Sequence, residues 1–147
     1  FRSSDDADLT IAGVIGSVTK ADYDAAQVAE LKARDAKAKS QLLGQIANTR
    51  YQHEIAGTVY NSTHVETTRE SRAMLLPVAF AASLDNTYTS KWKSTDGFIQ
   101  LTSTQILGLA STVRAYVQAC FDRESVLISA VTGGTFDAAM LAEGWPT

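Results

Sequence analysis

The chain has 147 residues, a formal net charge of −3 and a single cysteine, Cys120. That length suits one ordinary domain, or a small domain with an added helical arm. Interspersed charge signs argue against nucleic acid, which requires a basic face; a lone cysteine forms no intramolecular disulfide; and no apolar run approaches the roughly 18–20 residues that span a bilayer. The chain therefore reads as a soluble protein, with no membrane insertion and no nucleic-acid partner. Phe1 rather than Met at its start is compatible with a processed terminus or with a piece of a longer protein.

Residues 1–18 open with Arg2, two serines and three aspartates, a tail-like composition, and continue as an apolar stretch from Leu9 to Val18 broken by Gly13 and Gly16. This segment is expected to be a linker or to lie against a partner. Thr19 with Asp22 three positions on is an aspartate form of the capping box, and a long helix over 19–50 should begin there. No proline occurs from Ala21 to Arg50, and Ala, Lys, Gln, Glu, Leu and Arg dominate. Its apolar stripe, Val28, Leu31, Ala38, Leu42 and Ile46, is narrow, and Asp35 interrupts its heptad spacing. Such a stripe fits a helix lying on its own domain, a coiled-coil stem that would make the protein a homo-oligomer, or an exposed connector.

From residue 51 the composition turns β-like, and 51–147 is expected to form a compact α+β domain. Ile55, Val59, Tyr60 and Val65, punctuated by Gly57 and Asn61-Ser62, predict a first strand pair. His53 and His64 fall in it and are expected on the outer face of a sheet, because neither their spacing nor a third ligand supports a metal site. Thr67-Thr68-Arg69-Glu70 has capping-box form and starts a helix over about 67–83, which Pro77 should bend. A second strand pair follows, with Asp96-Gly97 as its turn, Lys91 and Lys93 facing water, and Trp92, Phe98 and Leu101 supplying an apolar face.

Thr102-Ser103-Thr104-Gln105 is a further capping box, and the helix over about 103–132 carries an apolar stripe at 3–4 residue spacing from Ile106 through Leu127 and Ile128 to Val131. That helix is the natural cover for the apolar hairpin face, Gly133-Gly134 should end it, and a short C-terminal helix follows. The expected fold is thus α+β: a long N-terminal helix, then two short antiparallel strand pairs forming one small sheet covered by two helices.

Catalytic chemistry finds little purchase in these residues. Cys120 sits mid-helix on the apolar stripe, where burial disfavours the thiolate. Two histidines confined to one region leave no triad, and the carboxylate pairs Asp5-Asp6 and Glu66-Glu70 lie in a tail and at a helix start, where capping explains them. No Gly-rich loop precedes a helix in the manner of a phosphate cradle. The expectation is a protein without catalysis, cofactor or metal. Trp92, beside Lys91 and Lys93, is open between a core residue and a contact for a glycan or a partner protein.

In the order of its motifs, the segment from about residue 50 to 146 resembles an uncharacterised domain family of tailed phages and prophages, found in tail-fibre and tail-fibre-assembly proteins. The motifs that carry this likeness are the charged-to-glycine hairpin around Glu54 to Gly57, the capped helix from Thr67, the hairpin Trp92-Lys93-Ser94-Thr95-Asp96-Gly97 with Leu101-Thr102 behind it, Tyr116-Val117-Gln118-Ala119-Cys120-Phe121, and Gly144-Trp145-Pro146. The resemblance implies a tail or fibre-associated structural or assembly protein, in the virion or in the host cytoplasm during assembly. Other phage tail or fibre proteins would be its partners. An assembly chaperone not retained in the virion, and a carbohydrate- or host-receptor-binding module of a tail fibre, are the alternatives. Val28, Leu31, Leu42, Ile46 and Trp92 are the expected partner contacts.

Overall fold

The computed structural model describes residues 18–94 and 97–147; the expectations placed on residues 1–17 and on the Thr95-Asp96 connection lie outside them. The architecture is α+β. Helix α1 (Lys20–Glu54) is followed by β1 (Thr58–Tyr60), β2 (Thr63–Val65), α2 (Arg69–Leu84), β3 (Thr89–Ser94), β4 (Gly97–Thr102), α3 (Ser103–Gly133) and a terminal 3₁₀ turn, Ala138–Leu141. Residues 40–147 form one compact unit, and residues up to 39 fall in a separate one.

In that first unit the helix is capped as its sequence predicts. The Asp22 carboxylate accepts from the Thr19 amide at 3.2 Å and from its hydroxyl at 2.6 Å, while the Asp22 amide donates back to the Thr19 hydroxyl. These bonds to its charged form hold the Asp22 carboxyl below the usual carboxylate value. Every described residue up to Lys39 is exposed.

Helix α1 continues four residues past the expected Arg50, so Tyr51–Glu54 is helical where a strand was expected, and the Glu54 to Gly57 motif is a helix end rather than a hairpin. The stop is local: Gly57 has φ 94°, and a Cβ there would collide with the His64 ring. Thr67, read as part of the capping box of α2, serves this turn instead. Its buried hydroxyl donates to the Glu54 carbonyl at 2.6 Å and accepts from the Gly57 amide at 3.0 Å. Thr68 is the actual N-cap of α2, accepting from the Ser71 amide.

The two strand pairs are antiparallel hairpins, yet they remain separate two-stranded sheets and do not join into the expected single sheet. β2 is only three residues long, and Thr67 ties the chain back to α1, so it turns into α2 before it can run beside β3. The β1–β2 turn has Asn61 and Ser62 both left-handed, at φ 48° and 64°, as a two-residue hairpin turn of the type I′ kind requires.

Register also corrects the second hairpin. Trp92 pairs with Ile99 and Ser90 with Leu101, whereas Phe98 pairs with Lys93. Positions 98 and 101 differ by an odd number, so they point to opposite faces. Leu101 is buried and Phe98, at 72 % exposure, faces away with the lysines. Ile99, not Phe98, shares the face of Trp92.

Helix α3 organises the compact unit. Its capping box, Thr102 with Gln105, and its left-handed C-cap Gly134 at φ 71° stand where the sequence predicts them. Toward its start Ile106, Leu109 and Val113 pack with Val65, Leu75, Ala82 and Leu101, uniting both hairpins and α2. Toward its end Leu127 packs with Ile46 of α1 and with Trp145. Ile128, expected on the buried stripe, is exposed, and Ala130 takes the inward position. Gly108 makes the first core possible, because the Tyr60 hydroxyl and ring occupy the space a Cβ would need.

Candidate interaction surface

Between the two cores, α3 carries Tyr116 and Cys120 past a buried ion cluster. Glu54, 2 % exposed, is gripped by Arg50 from its own helix and by Arg72 from α2, and Arg50 Nε reaches Glu124 Oε2 at 3.1 Å. Arg50 also lies over the Phe121 ring, 4.4 Å from its centroid. A buried carboxylate between two guanidiniums is neutralised and oriented, and its remaining duty is to join α1 to α2. The Tyr116 hydroxyl donates to the His53 carbonyl at 2.6 Å, adding a tie to α3.

Burial pushes the Cys120 thiol up from its ordinary value, and the negative charge of Glu54 acts in the same direction. The Tyr116 hydroxyl is raised too, first by burial and then by the neighbouring Cys120. These shifts oppose nucleophilic chemistry. His53 is not on a sheet: it lies in the last turn of α1 and stacks on Trp145. His64 is on a strand and exposed, as expected, with a ring nitrogen 3.3 Å from the Ala56 carbonyl. Among the described residues no group of His, Cys, Asp and Glu is placed to hold a metal ion, and no helix is long and apolar enough to cross a membrane.

The expected contact residues do not converge. Val28 and Leu31 are exposed, at 51 % and 53 %, whereas Ile46 is fully buried and Leu42 packs against it in the second core. Trp92 is half-buried: it rests on the first core and also lines an open groove of about 1000 Å³ between the hairpins and α2. Tyr60, His64, Met74 and Gln100 line the same groove.

One further surface is not among those its sequence pattern predicts. On α2, Leu76, Phe80 and Leu84 are exposed at 71 %, 65 % and 74 %, while Leu75 and Ala82 on the opposite side are core. The signal was present in the sequence: from Ala73 to Leu84 there is no charged residue. A helix apolar all round has two faces to cover, and the described residues cover only one.

The fold and these surfaces define a class, an α+β domain preceded by a long helix, with apolar helix faces that the described residues leave uncovered. More particularly, the chain belongs to the family described as domain of unknown function (DUF4376), whose model matches residues 37–143. No curated protein and no solved structure matches it.

Proposed function

We propose that this protein is a structural or assembly component of a bacteriophage tail or tail fibre, acting through protein–protein contacts and without catalysis. The observation that carries the contact reading is the exposure of the first part of α1. Over residues 20–39 every side chain of the helix is exposed, Val28 and Leu31 among them. Helices gain most of their stability from packing an amphipathic face, so an uncovered one calls for a partner. A homo-oligomeric stem through Val28 and Leu31 supplies it. Leu42 and Ile46, further along the same stripe, serve the domain's own core instead. The phage setting rests on the motif order between residues 50 and 146.

The non-catalytic reading is supported by the state of the groups that could have reacted. Cys120 is buried with its thiol held protonated, and Glu54 is committed to two arginines. The groove beside Trp92 favours one second reading, a receptor- or glycan-binding module of a fibre.

Mass spectrometry of purified virions tests the setting. Presence in the particle identifies a virion component. Absence from the particle, with co-purification of tail proteins from infected cells, identifies an assembly chaperone. Absence from both defeats the proposal. For the stem, sedimentation equilibrium of the full chain should show a loss of mass in the Val28→Glu/Leu31→Glu double variant; an unchanged mass removes the stem.

A further inference from the structure

The β3–β4 hairpin has an edge that the described residues leave unpaired. Only two residues separate Ser94 from Gly97, so that pair is a hydrogen-bonded one, and bonded and non-bonded pairs alternate away from the turn. Trp92 with Ile99 and Ser90 with Leu101 are the next bonded pairs. The main-chain N–H and C=O of Thr89, Lys91 and Lys93 therefore point away from β4, and no described residue bonds them. The same count on the first hairpin, from the Tyr60 and Thr63 pair, turns the His64 N–H and C=O away from β1. β2 lies beside β3, yet no main-chain bond joins them. Consecutive residues of both, Thr63 to Glu66 and Ser90 to Lys93, line the groove, whose apolar wall includes Tyr60, Met74 and Trp92. The free edges of two hairpins thus border one groove.

An unpaired edge beside an apolar groove is the receiving half of strand addition, in which main-chain bonds give affinity and alternate side chains give specificity. β3 is six residues long, about 20 Å of edge. The charges on it select the occupant. Lys91 and Lys93 are exposed, and neither is ion-paired among the described residues. Both stand on the outer face of the hairpin, with Trp92 between them on the inner one. Lysines at an edge repel a second copy of the same strand and attract an acidic one. We propose that β3 receives an extended segment of a partner protein with the pattern acidic, apolar, acidic. Its carboxylates stand opposite Lys91 and Lys93, and its apolar side chain stands opposite Trp92 and enters the groove. Lys91 and Lys93 form hydrogen-bonded pairs with the incoming strand, so facing side chains of opposite charge meet on the outer face. This rests on the reading of the protein as one that works through protein contacts; it uses neither the stem nor the phage setting.

The test uses the full chain and two synthetic decapeptides, one of alternating Glu and Val and one of alternating Lys and Val. Fluorescence anisotropy should show the Glu-Val peptide binding with a dissociation constant under roughly 200 µM, and the Lys-Val peptide binding about ten-fold more weakly or worse. Amide hydrogen exchange followed by NMR reads the geometry. The bound peptide should slow exchange at the amides of Lys91 and Lys93 and leave those of Ser90 and Trp92, already bonded to β4, unchanged. The double variant Lys91→Glu/Lys93→Glu alters exposed side chains only, keeps the fold by far-UV circular dichroism, and should reverse the preference between the peptides. A weaker constant for the Glu-Val peptide overturns the proposal. So does comparable binding of the Lys-Val peptide, or of polyglutamate, which carries the charge without the apolar positions. Binding that leaves exchange at Lys91 and Lys93 untouched overturns it as well, and binding of maltohexaose with none of the peptide would give the groove to a glycan. Val28→Glu/Leu31→Glu should bind the Glu-Val peptide as the wild type does, so failure of the stem and failure of this site are read apart.

Discussion

The imidazole of His53 lies flat on the indole of Trp145, with ring centroids 4.8 Å apart and planes within 7°. This stack fastens the end of α1 to the C-terminal segment, and the indole N–H donates to the Leu141 carbonyl at 2.8 Å. Ile46 and Leu127 complete the same core. Trp145→Ala removes the largest member of a small cluster and is expected to cost about 3–4 kcal/mol, against about 1–2 for Trp145→Phe. Urea unfolding followed by circular dichroism measures both; equal losses would show that the indole N–H bond, not the packing, dominates.

Glu54 gives a second expectation. Glu54→Gln keeps the shape but leaves Arg72 without its carboxylate partner and Arg50 with Glu124 alone, so stability should fall by about 3 kcal/mol. The arginines are partly exposed, which sets that figure at the low end for a buried pair. A loss under about 1 kcal/mol in the same urea experiment would mean that water already solvates the cluster.

Two glycines in helices should respond oppositely to alanine. Nothing lies within 4 Å of a Cβ at Gly44, so Gly44→Ala is expected to gain about 1 kcal/mol from helix propensity alone. At Gly108 the new methyl would meet the Tyr60 hydroxyl and ring, which are held against the first core. There the same substitution should lose about 1–3 kcal/mol through overpacking. Thermal midpoints that move in one direction for both variants would contradict this.

The raised thiol of Cys120 and the raised hydroxyl of Tyr116 set an alkaline limit on stability. Between the ordinary and the raised value the folded state binds more protons than the unfolded one, so stability declines as pH rises. The contribution is complete below the ordinary thiol value of 9.0 and is lost progressively above it. Denaturation midpoints between pH 8 and 11 are expected to fall, less steeply in Cys120→Ala. The native thiol should also resist thiol reagents until the chain unfolds; rapid labelling of the folded protein at pH 8 would contradict its burial.

What the sequence by itself determined is local. The cap at Thr19 with Asp22, the Thr102 and Gln105 box, the end of α3 at Gly134 and the β3–β4 pairing up to Gly97 depend on residues a few positions apart, and all could be read without a fold. Tertiary structure decided which side of each element is covered. Phe98 and Leu101 are both apolar, and only the register put one out and the other in. Glu54 looked like part of a charged turn, but Arg72, eighteen positions on, and Thr67 made it the buried junction of two helices. The stripe of α1 was legible as a stripe; that Leu42 and Ile46 belong to a core and Val28 and Leu31 do not followed from where Leu127 and Trp145 arrive. Burial is a property of the neighbours, and neighbours distant along the chain are supplied by the fold.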